Sequence, residues 1–330
     1  MTTSVALCTY NGVEFLAQQL NSIINQTKPV DEIIICDDGS TDATCSLVRQ
    51  YIKESSIRIR LFQNTVNVGY IFNFEQAISL CSGDVIFLSD QDDEWMPHKV
   101  ETICRFFEEN ESKEFVFTNA ELINAWGVKS FDKTLFQAVG WNTFTRKIFD
   151  NGCPYDVLCT SGRITGATVA LRSSFLPYCL PFPKMRTPSV HDEMIGISAL
   201  LHNKIARIDE CLIKYRLHEK QTVGINILLK YAPELWGLTK KTILWHETVS
   251  KRDRNIGMEL LQFTYKRFWI RKQSFSFFRF IFMYVRGEYK KYYPCPLSVF
   301  MRDITSIFVR LADFINQIPY MRVLDTRYIY

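Results

Sequence analysis

The sequence predicts an α/β protein whose first domain contains a mostly parallel sheet. Short apolar runs alternate with segments of helical periodicity from residue 4 to residue 88, in the order β-α-β-α-β-α-β. The last run, Val85–Leu88, is apolar at every position, which is typical of a strand buried on both faces. This alternation indicates crossover connections, which join parallel strands.

Four strands and three helices make up this alternation. The expected strands are Ser4–Cys8, Glu32–Cys36, Arg58–Phe62 and Val85–Leu88. The expected helices are one with apolar residues at Leu16, Leu20, Ile23 and Ile24, one that runs through Tyr51, and one over Phe74–Leu80. We expect Pro29 to stop the first helix, and Ser40 or Thr41 to cap the second.

Length and composition indicate a globular protein with a large core. The 330 residues suit one α/β domain plus an extension, and 47% of them are hydrophobic. None of the ten cysteines forms a C-x-x-C pair, so we expect reduced thiols. The first apolar run has no basic lead-in, and no uncharged apolar run reaches the roughly 18 residues of a spanning helix. These features predict a cytoplasmic protein.

Three carboxylates follow the Val85–Leu88 strand within four residues, at Asp90, Asp92 and Asp93. They would repel one another unless a positive group lay between them. Two carboxylates in a D-x-D spacing can share a divalent cation such as Mg²⁺ or Mn²⁺, which is usually completed by substrate phosphates. A solvated acidic turn is the alternative interpretation.

Polar residues end two further strands of the predicted sheet. These residues are Thr9, Tyr10 and Asn11 after the first strand, and Asp37 and Asp38 after the second. Ligands of such sheets bind beyond the carboxyl ends of the strands, so the three strand ends should converge on one crevice. A nucleoside diphosphate fits this crevice, with Tyr10 against the base, Asp38 on a base N–H and the metal on the diphosphate. Ordinary packing for Tyr10, and a capped turn for the aspartates, are the alternatives.

Six ordered segments between residues 1 and 224 resemble the inverting family 2 glycosyltransferases of the GT-A fold. They are Thr9-Tyr10-Asn11-Gly12, Asp37 to Asp42, Ser89 to Trp95, Ile164 to Thr168, His191-Asp192, and Tyr215 to His218 with Val223-Gly224. The Ser-Asp-Gln-Asp-Asp-x-Trp form resembles bacterial rhamnosyltransferases of cell-wall and O-antigen polysaccharide synthesis. The resemblance implies a dTDP-L-rhamnose donor, or alternatively another UDP- or dTDP-hexose, and a lipid-linked glycan acceptor.

The resemblance also implies roles for individual residues. Those on the donor nucleotide are Thr9, Tyr10, Asn11, Asp37, Asp38, Asn67 and Asp90. Those on a Mg²⁺ or Mn²⁺ ion are Asp90, Asp92 and His218, although a structural role is the alternative for His218. Those on the acceptor side are Thr165, Gly166, His191, Glu193 and Trp95. The chain departs from the rhamnosyl pattern with Glu193 in place of an aromatic residue, and with Glu219–Thr222 in place of asparagines.

Asp192 is the expected catalytic base. The resemblance places it in the His-Asp pair, at the start of a helix whose N-terminus would keep a carboxylate ionised. As a base, it would take the proton of the acceptor hydroxyl. A plain N-cap is the alternative for Asp192, and Glu193 is the alternative base.

The chain changes character after Gly224. Residues 239–330 contain 17 Lys and Arg against 7 Asp and Glu, whereas the rest of the chain has an acidic balance. Within Phe263–Tyr293, basic residues stand beside bulky aromatics at helical spacing, which suits an amphipathic helix in a bilayer interface. We therefore expect a catalytic domain over 1–224. A helical extension over 225–330 would bind anionic membrane peripherally, at the inner face of the cell membrane. Helices packed on the catalytic domain are the alternative, and no nucleic-acid fold signature is present.

Two rival functions follow from the same residues. The segment Asp37–Asp42 is compatible with an aspartyl-phosphate phosphatase, but that chemistry needs its nucleophilic aspartate after the first strand, where Thr9 and Tyr10 stand. A nucleotide-sugar-binding protein without turnover is the non-enzymatic rival. The presence of Asp92 and Asp192 favours an enzyme.

Overall fold

The computed structural model describes residues 1–151, 154–158, 163–182, 191–221 and 276–292, with residues 297, 300, 301, 303 and 304. The chain forms two compact units. The first comprises Met1–Arg146 and Ser161–Lys251, and the second Lys147–Thr160 and Arg252–Tyr330. All the predicted site residues belong to the first unit.

The first unit begins with the predicted alternation of strands and helices. The strands are Thr3–Thr9 (β1), Glu32–Asp37 (β2), Arg58–Gln63 (β3) and Val85–Ser89 (β4), and the helices are Val13–Ile24 (α1), Thr44–Glu54 (α2) and Tyr70–Ser79 (α3). The strands pair in parallel in the order β3-β2-β1-β4. The predicted parallel half of the sheet is therefore confirmed.

Shorter elements and the remaining strands follow along the chain. They are Glu94–Trp95 (β5), Lys99–Glu109 (α4), Phe115–Asn124 (β6), Lys129–Thr134 (β7), Leu135–Ala138 (α5), Thr143–Asp150 (α6), Pro154–Leu158 (α7), Val169–Arg172 (β8), Leu176–Cys179 (α8), His191–Leu201 (α9), Ile205–Leu217 (β9), Ser276–Val285 (α10) and Glu288–Tyr292 (α11). Two 3₁₀ turns, Gly166–Thr168 and Ser173–Phe175, flank β8.

Antiparallel pairing extends the sheet beyond β4. β8 pairs antiparallel to β4 and to β6, β9 runs parallel to β6, and β5 closes this side of the sheet antiparallel to β9. Among the described residues the order is β3-β2-β1-β4-β8-β6-β9-β5, with β7 paired to β6. This order brings the ends of β1, β2 and β4 close to the turn before β8 and to the end of β9.

The centre of the sheet is buried on both faces. Every residue of β1, β2 and β4 is buried, and Val85–Leu88 has no exposed surface. Continuous apolar runs place side chains toward helices on both sides, which gives the site a rigid support.

Two helix starts differ from the sequence prediction. α2 begins at Thr44 after Ala43, with no side-chain cap, because the Ser40 hydroxyl instead donates to Oδ2 of Asp37 at 2.5 Å. α3 begins one turn earlier than predicted, directly after Gly69, whose φ of +87° suits a glycine.

Seven cysteines lie in the described residues, and none of these seven is joined in a disulfide. Within the described part of the chain, no helix combines the length and the apolar character that crossing a membrane requires.

Candidate active site

The strand ends of the first unit surround a cavity of about 330 Å³. Ten of the fifteen predicted site residues line it. They are Thr9, Tyr10, Asp38, Asn67, Asp90, Asp92, Thr165, Gly166, His191 and Asp192. The structure therefore brings the predicted donor-side and acceptor-side residues to one place.

Two predicted residues, Asn11 and Asp37, shape the loops beside the cavity without lining it. Asp37 is fully buried, and its Oδ2 accepts a hydrogen bond from the Thr9 hydroxyl at 2.8 Å. Asn11 has a φ of +48°, and its Oδ1 accepts from the backbone N–H of Thr41 at 2.9 Å. These contacts tie the turn after β1 to the turn after β2.

Trp95 and Glu193, both predicted on the acceptor side, do not line the cavity either. Trp95 is 4% exposed and packs on Phe87 with ring centroids 5.7 Å apart, because β5 pairs with β9 and directs this ring into the core. Glu193 is half-buried in the first turn of α9, and its backbone N–H donates to Oδ1 of Asp192 at 2.7 Å.

Asp38 organises the loop that carries Asn67. Its Oδ1 accepts from the Val68 backbone N–H at 2.8 Å, and its Oδ2 accepts from the Gly69 backbone N–H at 2.9 Å. Asp38 is almost fully buried, although it contributes to the cavity wall. The position of this loop at the mouth of the cavity therefore depends on Asp38.

A buried lysine that the sequence reasoning missed, Lys99, provides positive charge for the acidic loop. Burial first, and Asp92 second, raise the pKa of both Asp90 and Asp93. Burial lowers the pKa of Lys99 to about 7, while Asp93 and Asp90 oppose that shift. Its Nζ lies 3.8 Å from the centre of the Trp95 ring and donates to the Ala167 carbonyl at 3.1 Å. Lys99 follows Asp93 by six positions in the sequence. A basic residue this close to three carboxylates was the signal that could have identified it.

Arg216 is a second buried cation behind the acidic loop. Its Nε donates to the Asp92 carbonyl at 2.7 Å, and its Nη2 donates to Glu94 and to Gln18 at 2.7 Å each. Its backbone N–H donates to Oδ1 of Asp93 at 2.9 Å. The sequence motif contained Arg216, but nothing along the chain indicated this contact with residues 92–94.

His218 meets the predicted metal loop. Its Nε2 lies 2.8 Å from Oδ2 of Asp92, and its ring packs on Phe15 with centroids 4.7 Å apart. Among the described residues, no group of three or more His, Cys, Asp or Glu side chains is arranged to hold a metal ion alone. The pair still fits Mg²⁺ or Mn²⁺, because such ions use one or two protein ligands and take water and phosphate oxygens for the rest. Adjacent ligands of such an ion lie about 3 Å apart, close to the separation of these two atoms.

Asp192 lines the same cavity as this loop. Burial raises its pKa to about 6, while the backbone N–H groups of Glu193 and Gly166 hold the carboxylate and offset part of the shift. A Cβ at Gly166 would lie 3.4 Å from Oδ2 of Asp192 and 2.7 Å from Nε2 of His191. A glycine is therefore needed where the turn before β8 approaches α9.

His191 forms part of an aromatic wall next to Asp192. Its ring stacks on Phe74 at 4.0 Å with an interplanar angle of 17°, and Tyr70 lies edge-on at 6.2 Å. Among the described residues, neither of its ring nitrogens has a hydrogen-bond partner, and burial lowers its pKa to about 3. A neutral imidazole with unused nitrogens at a cavity is suited to hydrogen bonds with a hydroxylated ligand.

The comparisons with a family model and with curated proteins both find glycosyltransferases. Residues 4–165 match the model of the family described as glycosyl transferase family 2. An uncharacterized glycosyltransferase of Haemophilus influenzae is 28% identical over 229 residues, 67% of this chain and 67% of that protein. The UDP-Glc:alpha-D-GlcNAc-diphosphoundecaprenol beta-1,3-glucosyltransferase WfgD of Escherichia coli is 28% identical over 221 residues, 66% of this chain and 77% of that protein.

A solved structure shares the fold. The crystal structure of S. aureus TarS 1-349 in complex with UDP-GlcNAc aligns with a TM-score of 0.58 and 17% identity, over 97% of this chain and 82% of that chain. At this level of identity the similarity establishes the architecture of the sheet and its helices.

Proposed function

Because the chain belongs to glycosyl transferase family 2, we propose that it moves a sugar from a nucleotide-sugar to an acceptor hydroxyl with inversion at the anomeric carbon. The family and the GT-A fold predicted from the sequence are both confirmed. The observation that carries the proposed reaction is the placement of Asp192 and the Asp90–Asp92 loop on the same cavity. Inverting transfer needs a base and a stabilised leaving group on opposite sides of the reacting carbon.

The donor nucleotide is proposed to bind at the ends of β1, β2 and β4. Tyr10 is 47% exposed and lines the cavity, so its ring is available to stack on a base. Asp38 and Asn67 line the same part of the cavity. Oδ1 of Asp38 accepts from the Val68 N–H and from the Asn64 side-chain amide. Oδ2 accepts from the Gly69 N–H and has a further lone pair that a base N–H could use.

Asp92 and His218 are proposed to hold a divalent cation, with Asp90 beside them. When bound, the cation would act as a Lewis acid and neutralise negative charge on the departing diphosphate. Arg216 fixes the backbone carbonyl of Asp92, and Phe15 fixes the ring of His218, so both side chains are held in place before the donor binds.

Asp192 is the proposed general base, with the backbone N–H groups of Gly166 and Glu193 orienting its carboxylate. A pKa near 6 leaves the group ionised at neutral pH and raises its proton affinity above that of an ordinary aspartate. His191, which is neutral and next to it, is proposed to orient the sugar by hydrogen bonding.

We propose dTDP-L-rhamnose as the donor, with another UDP- or dTDP-hexose as the alternative. The apolar faces of Tyr70, Phe74 and His191 form one wall of the cavity, and such faces pack well on the C–H face of a sugar. The acceptor is proposed to be a lipid-linked glycan of surface polysaccharide synthesis. WfgD is named for an acceptor of the lipid-linked kind, alpha-D-GlcNAc-diphosphoundecaprenol.

The domain assignment remains a proposal. Catalysis is assigned to residues 1–224. Residues 225–330 are proposed to bind the inner face of the cell membrane peripherally. Within Phe263–Tyr293, residues 263–275 and 293 lie outside the described residues. Helix α10 supports the proposal, because Phe278, Phe282 and Val285 are exposed on it. The guanidinium of Arg286 lies 4.4 Å from the centre of the Phe282 ring, which places a basic group beside this apolar surface.

The proposal is tested by measuring nucleoside-diphosphate release from a panel of nucleotide-sugars. The full chain is incubated with dTDP-L-rhamnose, UDP-glucose, UDP-GlcNAc and GDP-mannose, each with Mg²⁺ or Mn²⁺. Release that depends on one donor identifies the nucleotide and the sugar. If no donor is bound or cleaved under any of these conditions, the proposed function is wrong.

A further inference from the structure

Gln91 lies between the two aspartates of the proposed metal loop. Its side-chain amide forms two hydrogen bonds with the backbone of Tyr10. Its Oε1 accepts a hydrogen bond from the Tyr10 N–H at 2.8 Å, and its Nε2 donates to the Tyr10 carbonyl at 3.0 Å. The amide group therefore pairs with a residue that is 81 positions away in the sequence. Paired hydrogen bonds of this kind fix both the distance and the orientation of the two segments.

The turn after β1 is shaped to receive this amide. A Cβ on Gly12 would lie 1.9 Å from Oε1 and 2.2 Å from Cδ of Gln91. Gly12 has a φ of −108°, which any residue can adopt. A side chain at this position would therefore conflict with the Gln91 amide and not with the backbone conformation, and the amide would have to move to make room. Two residues from distant segments are thus matched in shape as well as in hydrogen bonding.

The contact connects the two ends of the proposed donor site. Gln91 follows Asp90 and precedes Asp92, on the loop proposed to face the diphosphate, and Tyr10 lies on the turn proposed to face the base. Tyr10 is otherwise exposed to a large extent, so little packing holds its position. The separation between the base-binding ring and the metal loop therefore depends on this amide.

We propose that Gln91 is a positioning residue that sets the place of Tyr10 relative to the metal loop and so contributes to the choice of nucleotide base. This inference rests on the proposed function, because it assumes that a nucleoside diphosphate spans the two segments. Gln91 acts through the backbone of Tyr10, and its two hydrogen bonds to that backbone leave one amide N–H for other partners.

The test is nucleotide binding to the full chain, measured by isothermal titration calorimetry with UDP, dTDP and ADP in the presence of Mn²⁺. Gln91→Met keeps the length of the side chain and removes both hydrogen bonds. We expect it to weaken binding of the preferred pyrimidine nucleoside diphosphate about tenfold, or about 1.4 kcal/mol, because Tyr10 loses both hydrogen bonds that hold its backbone to the metal loop. Binding of ADP should be weakened less. The dissociation constant of ADP divided by that of the preferred pyrimidine nucleotide should therefore fall.

A merely structural role would lower folding stability and leave this ratio unchanged. Gln50→Met is the matched control, because Gln50 is exposed and its amide donates to Glu54 in the same helix, away from the cavity. If Gln91→Met has the affinity and the base preference of the parent, this inference is wrong, whereas the proposed function is unaffected. Failure of the parent chain to bind UDP or dTDP would instead contradict the proposed function.

A second pair of variants tests the same contact from the other side. Gly12→Ala should displace the Gln91 amide and weaken the preferred nucleotide as much as Gln91→Met does. In a Gln91→Ala background the space is open, so adding Gly12→Ala should cost no further affinity. If Gly12→Ala is equally harmful with and without the Gln91 side chain, the proposed coupling is wrong, and this result is available even if Gln91→Met does not fold.

Discussion

The imidazole of His218 and the carboxylate of Asp92 meet at 2.8 Å, although 126 positions separate them in the sequence. β9 brings them together, because it ends beside the loop that follows β4. The same end of β9 supplies Arg216 to the Asp92 carbonyl. The proposed metal loop therefore receives His218 and Arg216 from the end of β9, which is the last strand of the described sheet along the chain.

The first prediction concerns this pair. His218→Asn should weaken Mn²⁺ binding in the presence of UDP by about tenfold or more, and Asp92→Ala should weaken it further, because each removes a proposed ligand. Chelation with EDTA should abolish sugar transfer. Titration calorimetry of Mn²⁺ against the UDP-bound protein measures the effect directly. His98→Asn is the matched control, since His98 pairs with Glu210 away from the loop. Equal Mn²⁺ affinity in all three variants and the parent would contradict the assignment.

The second prediction concerns the buried countercharge. Lys99→Met should lower the free energy of unfolding by about 1 to 3 kcal/mol, because it removes the buried Nζ that donates to the Ala167 carbonyl and that interacts electrostatically with Asp93 and Asp90. Adding Asp93→Asn should recover part of the loss, since the amide oxygen can still accept from the Arg216 N–H. Urea denaturation of the single and double variants gives both numbers. Lys53→Met, on an exposed position, is the control. Additive losses in the double variant would show that Lys99 and Asp93 do not interact.

The third prediction concerns pH. A base acts only when ionised, and burial raises the pKa of Asp192 to about 6. The value of kcat/KM should therefore be level above about pH 7 and fall with decreasing pH, approaching a tenfold loss per pH unit below about 6. Steady-state rates between pH 5 and pH 8.5 test this. A profile that stays level down to pH 5 would exclude a group with this pKa as the essential base.

The fourth prediction concerns the extension. Binding to vesicles should need anionic lipid and should weaken, without vanishing, at high salt, because salt screens charge attraction but not apolar insertion. Reversing four basic charges should reduce sedimentation with the vesicles, since each contributes about 1 kcal/mol near an anionic surface. The four residues are Arg271, Lys272, Lys290 and Lys291, of which the structure describes Lys290 and the backbone of Lys291.

The matched control reverses four exposed charges in the first unit. These are Arg49, Lys53, Arg105 and Lys133. If the extension variant, shown to be folded, still sediments as well as the parent, its basic residues do not bind membrane and the alternative of helices packed on the catalytic domain is favoured.

The sequence predicted the framework of the site because that framework depends on local signals. Apolar runs defined the strands, and the carboxylates after β2 and β4 had to meet at one edge of a parallel sheet. Long-range partners were not predictable in this way. Arg216 bonds to the acidic loop from the end of β9, and Lys99 interacts electrostatically with Asp93 and Asp90 from the start of α4. The positions of both elements depend on the packing of the whole domain.

Side-chain direction was the other missing information. Trp95 follows the acidic loop in the sequence, but successive residues of a strand point to opposite sides. Glu94 points to Arg216, whereas Trp95 points into the core, so proximity along the chain misplaced it. Ser40 or Thr41 was expected to cap α2 for a similar reason. Both hydroxyls come shortly before the helix in the sequence, but that of Ser40 bonds to Asp37 and that of Thr41 to Asn11.

The most direct test of the proposed mechanism compares Asp192→Asn with Glu193→Gln and the parent, using the donor that the nucleotide-sugar panel identifies. Turnover of sugar transfer and the dissociation constant of the donor are measured for each. We expect Asp192→Asn to lower turnover by roughly 100-fold or more while donor affinity stays the same, and Glu193→Gln to behave like the parent. Parent-like turnover in Asp192→Asn, or a loss of donor affinity equal to the loss of rate, would contradict the role of Asp192 as the base.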